Sequence, residues 1–202
     1  MDPAVIAIAF GAIFIVELPD KTFIAALVLS TRYKPLAVWV GVGLAFFVQT
    51  LIAVVAGHLA TFLPDTVIKA VAMGVFLVGA FVLYRSAPGA DAEEKEQEEE
   101  FAAKATDTRT GLKAVTASFL VLFAAEWGDL SQLLTISMIA KYGHPLSVFI
   151  GAWCALLTVS ALAVLIGRVL LQHVKLSVIH YFGAAVCLIL AAVTAWELFA
   201  QA

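Results

Sequence analysis

Six long apolar runs constrain the fold of this chain more than any other feature. They cover about residues 4–30, 35–57, 66–85, 112–140, 146–171 and 176–200. A helix needs roughly 20 residues to cross a hydrocarbon core of about 30 Å, and each run reaches that length. Lipid offers backbone groups no hydrogen-bond partners, so the runs are expected to be helices. The predicted fold class is an all-α integral membrane protein with six transmembrane helices.

Composition supports a membrane setting. Hydrophobic residues make up 63% of the chain and charged residues 13%, with a mean hydropathy of +1.02. A soluble domain has far more polar residues with which to cover its surface. We expect a multi-pass protein of the cell (inner) membrane whose first run is a retained span rather than a signal peptide. The lipid bilayer is then a partner, nucleic acid is not, and a homo-oligomer is compatible with these patterns.

An acidic segment, residues 87–111, separates a first group of three spans in 1–86 from a second in 112–202. Acids dominate it from Asp91 to Glu100, so it must lie outside the bilayer. Such composition predicts a solvated linker that is partly disordered or loosely helical. A regulatory or cation-gathering role is the alternative.

The distribution of lysine and arginine predicts the topology. If the N-terminus lies outside, nine basic residues fall on the inner side and two on the outer side. An excess of basic residues marks cytoplasmic loops, so both termini are expected to be extracytoplasmic and the acidic linker cytoplasmic. The inner residues are Arg32, Lys34, Arg85, Lys95, Lys104, Arg109, Lys113, Arg168 and Lys175, and the outer ones are Lys69 and Lys141.

The two groups of spans repeat each other. The motif ELPDKT recurs 109 positions later as EWGDLS, and KPLAVWVG at 34–41 matches HPLSVFIG at 144–151. Each group has an odd number of spans, so the second copy must lie upside down relative to the first. Inverted repeats are typical of secondary transporters, whose binding site lies near the midplane between the repeats.

The motifs place four acids inside apolar spans, where an ionised carboxylate is costly unless it faces a polar interior. Residues three apart share a helix face, and inversion would bring both acid pairs to one place. Such a cage of hard oxygens suits Ca²⁺, Mn²⁺ or Mg²⁺, whereas the absence of Cys and His argues against zinc or copper. The predicted metal site comprises Glu17, Asp20, Thr22, Glu126, Asp129, Ser131 and Gln132.

Charge also favours exchange of a divalent ion for protons. The four carboxylates and Lys21 sum to −3, and one divalent ion leaves −1. Without the metal, crowded carboxylates bind protons, so both ions compete for the same oxygens. Lys21 is expected to pair with Glu17 or with an acid of the other repeat. Pro19 and Gly128, at equivalent places, predict either broken helices that expose carbonyls or simple packing kinks.

The pattern Glu-x-Gly-Asp-(Lys/Arg)-(Thr/Ser), present twice in two three-span halves, resembles the calcium/manganese–proton antiporter family. Its members include a Golgi calcium/manganese transporter, chloroplast manganese transporters and bacterial manganese exporters. The resemblance covers the chain except the linker. It implies export of Mn²⁺ or Ca²⁺ in exchange for protons, no cofactor, and an ion site at the six motif positions. Pro19 stands where the family usually has glycine, and Leu130 where it usually has a basic residue.

Other functions remain compatible with the residues alone. An intramembrane aspartyl hydrolase needs two acids that share a proton, whereas four acids are duplicated here with their hydroxyl neighbours. An exporter of amino acids or small organic cations should have more aromatic lining. A channel would differ only in whether both gates open together. The sequence does not choose between Mn²⁺ and Ca²⁺, because both accept these oxygen ligands.

Overall fold

A computed structural model of the chain describes residues 1–18, 20–60, 62–105, 111–173 and 176–199. Within these ranges every regular element is an α-helix and there is no strand, which confirms the all-α fold class. The helices are α1 (Pro3–Glu17), α2 (Lys21–Arg32), α3 (Pro35–Ala60), α4 (Asp65–Ser86), α5 (Ala90–Lys104), α6 (Leu112–Ala125), α7 (Leu130–Tyr142), α8 (Pro145–His173) and α9 (Leu176–Phe199).

Among the described residues, between four and six segments are long and apolar enough to cross a membrane. The helices α3, α4, α8 and α9 are each long and apolar enough to do so. Two more spans arise if α1 with α2, and α6 with α7, each count as one bent span, with bends of 69° and 72°. The apolar runs 4–30 and 112–140 are therefore each divided into two helices, and the division falls at the acidic motif.

Both breaks have the same local construction. Helix α1 ends at Glu17, and Glu126 directly follows α6 as its C-cap. Asp20 and Asp129 are the N-cap residues of α2 and α7, with extended backbone conformations. The backbone N–H of each aspartate donates to the carbonyl of the preceding glutamate, at 3.0 Å and 3.2 Å. The prediction that each acid pair shares one helical face is therefore wrong, because the two acids of a motif belong to different helices.

Glycine is required at the second break. Gly128 has a φ of +78°, a left-handed conformation that glycine adopts without steric cost. The chain can therefore turn through 72° between α6 and α7. Its counterpart Pro19 lies outside the described residues.

Helices of one half pack against helices of the other. Helix α1 lies on α8, α3 lies on α6, and α4 packs along α9. A Cβ atom at Gly41 would lie 2.4 Å from the Val115 carbonyl oxygen, and one at Gly151 would lie 2.5 Å from the Ile6 carbonyl oxygen. Val115 and Ile6 are 109 positions apart, and the two glycines are 110 apart. The same close contact thus occurs twice, with the roles of the halves exchanged.

The acidic linker contains helix α5, which packs on α2 and α9. Its Phe101 and Ala90 are buried, at 4% and 1% exposure, whereas Lys95 and Glu96 are exposed. The linker, expected to be solvated and partly disordered or loosely helical, is helical over Ala90–Lys104 and packs through small and aromatic side chains. Residues 106–110 lie outside the described part of the chain.

Candidate metal-binding site

The two broken helices bring three motif carboxylates together. One oxygen atom from each of Glu17, Glu126 and Asp129 lies within 4.8 Å of the other two. Glu17 comes from the first half of the chain and the other two from the second, so neither half forms the group alone. An ion between these oxygens could contact all three carboxylates, since Ca²⁺ binds oxygen ligands at about 2.3–2.6 Å.

These carboxylates are largely removed from solvent and keep free oxygens. Glu17 is 1% exposed and Glu126 2%, while the Asp129 side chain is 16% exposed. Glu17 Oε1, Glu126 Oε1 and Asp129 Oδ2 are buried and have no hydrogen-bond partner. Buried polar atoms normally have partners, so three free carboxylate oxygens at one place fit a cation or protons.

A hydroxyl group holds the other oxygen of each glutamate. Thr22 Oγ1 donates to Glu17 Oε2 at 3.0 Å, and Ser131 Oγ donates to Glu126 Oε2 at 3.4 Å. Each hydroxyl stands five positions after its glutamate, so the repeated motif builds the same contact twice. Each hydroxyl thereby orients its carboxylate and leaves one oxygen free.

Lys21 crosses between the halves. Its Nζ lies 3.2 Å from Asp129 Oδ1, so the lysine pairs with an acid of the other repeat, one of its two predicted partners. The equivalent position in the second half is Leu130, whose Cδ1 approaches within 3.0 Å of the place a Cβ would take at Gly79 of α4. In the second half this position therefore serves apolar packing. The positively charged side chain at the site, Lys21, comes from the first half.

Asp20 lies beside the three-carboxylate group rather than within it. Its carboxyl group is near enough to those of Asp129 and Glu17 to interact with their charges. As the N-cap residue of α2, Asp20 makes no side-chain cap hydrogen bond.

Two glutamines form part of the site's surroundings. Gln132 Nε2 donates to Gln49 Oε1 at 2.9 Å, while Gln132 Oε1 accepts the Gly128 N–H at 3.1 Å. Gln49 Nε2 donates in turn to the Phe123 carbonyl at 2.9 Å. Gln132 was predicted from the sequence as part of the metal site. The sequence gave no sign that it bonds to Gln49, 83 positions away.

Sequence reasoning missed the hydroxyls of Thr50 and Thr135. Together with Glu126, Ser131 and both glutamines they line a small cavity of about 10 Å³, roughly the space that one water molecule needs. Threonine is common in apolar spans, so composition alone could not single out these two residues.

A larger cavity of about 470 Å³ approaches the site beside Lys21. Its other walls come from the end of α6 and from α5, including Glu100 and Phe101. The linker helix therefore lines one approach to the carboxylates. Phe101 is the only aromatic residue in the acidic segment and was the one available sign that this segment packs against the helices.

Comparison with known proteins identifies relatives over nearly the whole chain. A family model described as the divalent cation/proton antiporter GDT1 matches residues 5–91 and 114–202, which include both motifs. The chloroplastic protein PAM71 of Arabidopsis thaliana is 33% identical over 210 residues, or 95% of this chain and 56% of PAM71. A GDT1-like protein of Synechocystis sp. is 31% identical over 188 residues, or 89% of this chain and 91% of that protein.

A more distant GDT1-like protein of Schizosaccharomyces pombe is 27% identical over 219 residues, which cover 87% of this chain and 76% of that protein. The chain thus spans little more than half the length of PAM71 but most of the cyanobacterial relative. No solved structure matches the chain.

Proposed function

Because this chain belongs to the GDT1 family of divalent cation/proton antiporters, we propose that it exchanges Mn²⁺ or Ca²⁺ for protons and exports the metal from the cytoplasm. The family consists of transporters, so the chain is not an enzyme and the aspartyl hydrolase alternative loses its support. One observation carries the proposal: three buried carboxylates from both halves converge, each with a free oxygen.

The metal is held, in this proposal, by Glu17, Glu126 and Asp129, with further contacts from other motif oxygens. Hard oxygen ligands suit Mn²⁺ and Ca²⁺, and no cysteine or histidine belongs to the group. A divalent ion would reduce the charge of the four motif acids and Lys21 from −3 to −1. The motif positions Asp20, Thr22 and Ser131 complete the proposed ion site, whereas Gln132, which the sequence predicted as a further ligand, has its Oε1 bonded to the Gly128 N–H.

Protons are the counter-substrate at the same place. When the metal leaves, the crowded carboxylates repel one another in a poorly solvated site, and binding protons relieves that repulsion. Metal and protons then exclude each other, as an exchanger with one shared site requires. Export of metal would follow from a proton gradient directed into the cytoplasm.

The proposed architecture is six spans in two inverted repeats, residues 1–86 and 112–202. The paired glycine contacts support it, because Gly41 meets α6 as Gly151 meets α1. The matching breaks at Glu17 and Glu126 support it as well. In this arrangement both broken helices reach the midplane from opposite sides, which is where alternating access needs the site.

The proposed topology has extracytoplasmic termini and a cytoplasmic linker in the cell (inner) membrane. The excess of basic residues on the linker side supports it. The 470 Å³ cavity, which α5 lines, would then open toward the cytoplasm and form the path by which the metal reaches the carboxylates.

Ion flux in proteoliposomes tests the proposal. Purified protein would be reconstituted with a pH-sensitive dye inside, and Mn²⁺, Ca²⁺ and Mg²⁺ would be offered separately outside. We expect Mn²⁺ or Ca²⁺ to enter while protons leave, so that the lumen becomes alkaline. Metal entry without pH change would contradict exchange, and absence of flux for all three ions would contradict the proposed function.

A further inference from the structure

The break between α6 and α7 leaves backbone groups that the helices cannot satisfy. The last carbonyl groups of a helix and the N–H groups of the residues at a break have no intrahelical partners. Phe123 lies in the last turn of α6 and Gly128 lies in the break itself. Inside a membrane such groups need partners from side chains, because lipid supplies none.

Two glutamines satisfy both groups through one continuous chain of hydrogen bonds. The Phe123 carbonyl accepts from Gln49 Nε2 at 2.9 Å, Gln49 Oε1 accepts from Gln132 Nε2 at 2.9 Å, and Gln132 Oε1 accepts from the Gly128 N–H at 3.1 Å. The two ends fix the direction of both amides, because a carbonyl must receive an N–H and an N–H must reach an oxygen. We call these two residues the glutamine clamp.

The clamp ties both sides of the break to a third helix. Gln49 lies in α3 and is 4% exposed, so its bonds form away from solvent. Glu126 lies between Phe123 and Gly128, the two residues whose backbone groups the clamp holds, and Asp129 directly follows Gly128. Loss of the Gln132 amide would leave the buried Gln49 amide without one partner, and an unpaired buried polar group costs about 1–3 kcal/mol.

The first half has no such clamp. The positions that correspond to Gln132 and Gln49 are Phe23 and Val159, both buried and apolar. The duplicated motif thus has one break held by neutral amides and one that supplies the cation Lys21. This difference indicates a specific task for the second half of the site.

We propose that Gln49 and Gln132 are positioning residues that hold Glu126 and Asp129 at a fixed spacing and thereby set the affinity and size selectivity of the ion site. This inference rests on the proposed divalent-cation site. Preferred metal–oxygen distances are about 2.0–2.1 Å for Mg²⁺ and 2.3–2.6 Å for Ca²⁺, so a shift of a few tenths of an ångström changes which ion fits. In this proposal Gln132 acts through the backbone of the break and does not contact the metal.

The test compares Gln49→Met, Gln132→Met and the double variant, because methionine keeps the length of glutamine without its hydrogen bonds. Equilibrium binding of Mn²⁺ to purified protein and flux of Mn²⁺, Ca²⁺ and Mg²⁺ in proteoliposomes would both be measured. Each single variant should weaken Mn²⁺ binding about tenfold, the effect typical of groups that orient metal ligands. The ratios between the fluxes of Mn²⁺, Ca²⁺ and Mg²⁺ should also move toward one, because the site loses its size selectivity. The double variant should bind Mn²⁺ no less tightly than the single variant with the lower affinity, because either substitution already breaks the chain of hydrogen bonds.

Thr158→Val is the matched control, since Thr158 is an exposed residue of α8 whose hydroxyl donates only within its own helix. Melting temperature and monodispersity in detergent identify variants that fail to fold. For those, Gln49→Leu provides the second test, because Gln49 is not one of the predicted ligands and leucine removes its hydrogen bonds without adding charge. The proposal expects weaker metal binding for Gln49→Leu, whereas a direct ligand role for Gln132 expects unchanged binding.

Two results would overturn the inference. One is normal binding and selectivity in folded Gln49→Met or Gln49→Leu, and the other is additive losses in the double variant. If the wild-type protein binds Mn²⁺ but transports no ion, the proposed function fails. The comparison of Mn²⁺ binding between wild type and variants still tests whether the two glutamines position the metal ligands. If the wild-type protein binds none of the three ions, both fail.

Discussion

Lys21 of α2 and Asp129 of the other half form an ion pair in which Nζ and Oδ1 are 3.2 Å apart. Their side chains are 33% and 16% exposed, so the pair lies at the margin of the buried carboxylates Glu17 and Glu126. Lys21 also lines the 470 Å³ cavity. Lys21 thus belongs both to the wall of that cavity and to the ion pair with Asp129, and in the proposed exchange an incoming metal ion must compete with it for this carboxylate.

Replacing Lys21 should tune transport without abolishing it. Lys21→Leu removes this competing cation, so the carboxylates should bind the metal more tightly, by up to about 1 kcal/mol for a partly exposed pair. Transport should remain detectable, since the second half has Leu130 at the equivalent position. Apparent KM and maximal rate for Mn²⁺ and Ca²⁺ in proteoliposomes measure the effect. Lys34→Leu, at an exposed position away from the site, is the control, and an inactive but folded Lys21→Leu would show that the lysine is essential.

The buried glutamates should be indispensable for exchange. Glu17→Gln or Glu126→Gln keeps the size of the side chain but removes one charge and one free oxygen from the three-carboxylate group. Loss of a residue that only orients a metal ligand typically lowers metal affinity or activity about 10–100-fold. Loss of a ligand itself should lower metal-dependent proton movement by at least as much. Metal-driven pH change in proteoliposomes measures it, with Glu96→Gln on the exposed side of α5 as the control. A normal exchange rate in either glutamate variant would show that metal and protons do not share this site.

The two aspartates provide a separate comparison. Asp129 belongs to the three-carboxylate group, whereas Asp20 lies beside it against Asp129. We expect both Asp129→Asn and Asp20→Asn to impair exchange strongly, because each carboxylate contributes negative charge to the proposed site. Mn²⁺ binding and proton movement would be measured for each variant. If Asp20→Asn exchanged ions normally, the ion site would need only three of the four predicted carboxylates.

The linker acids should be dispensable for the exchange chemistry. Deleting Asp91 to Glu100 removes most of α5, including Glu100 from the cavity wall, but leaves every motif residue in place. Exchange should therefore stay measurable, although the rate at low metal concentration should fall if the acids gather cations near the approach. Flux at low and at saturating Mn²⁺ distinguishes these effects. Complete loss of flux in a protein that still inserts normally would show that α5 is part of the transport machinery.

The paired glycine contacts should be equally sensitive in both halves. A Cβ at Gly41 or Gly151 would come within 2.5 Å of a backbone carbonyl, so Gly41→Ala and Gly151→Ala should each destabilise the fold by about 1–3 kcal/mol. Thermal unfolding in detergent measures this. Gly74→Ala is the matched control, because a Cβ there meets nothing within 4 Å and alanine favours the helix. Unchanged melting of either variant would argue against equivalent packing of the two halves.

Much of the site could be read directly from the sequence. Apolar runs of about 20 residues predicted the helices, because the choice of helix in a membrane is made by hydropathy and by hydrogen bonds within four residues along the chain. The duplicated motif pointed to Glu17, Glu126 and Asp129, whose oxygens the structure brings together. Both inferences use properties that each segment has by itself.

Other features could not be read in this way. Lys141, counted as an outer basic residue, has a side chain only 2% exposed and pairs with Glu197 at 3.3 Å. The predicted helical face shared by Glu17 and Asp20 does not exist, because the helix ends between them. Local periodicity assumes a continuous helix, and it does not reveal where packing between distant segments makes a break favourable.

The sequence by itself determined the helical segments, their polar interruptions and the acidic residues that come together. Only the tertiary structure decided that Lys21 pairs with Asp129, that Gln49 bonds to Gln132, and that α5 lines the cavity. The physical reason is distance along the chain. Hydropathy and helix formation depend on near neighbours, whereas these contacts join residues that lie tens to more than a hundred positions apart. Such contacts form only once the interlocked helices of both halves have fixed which side chains meet.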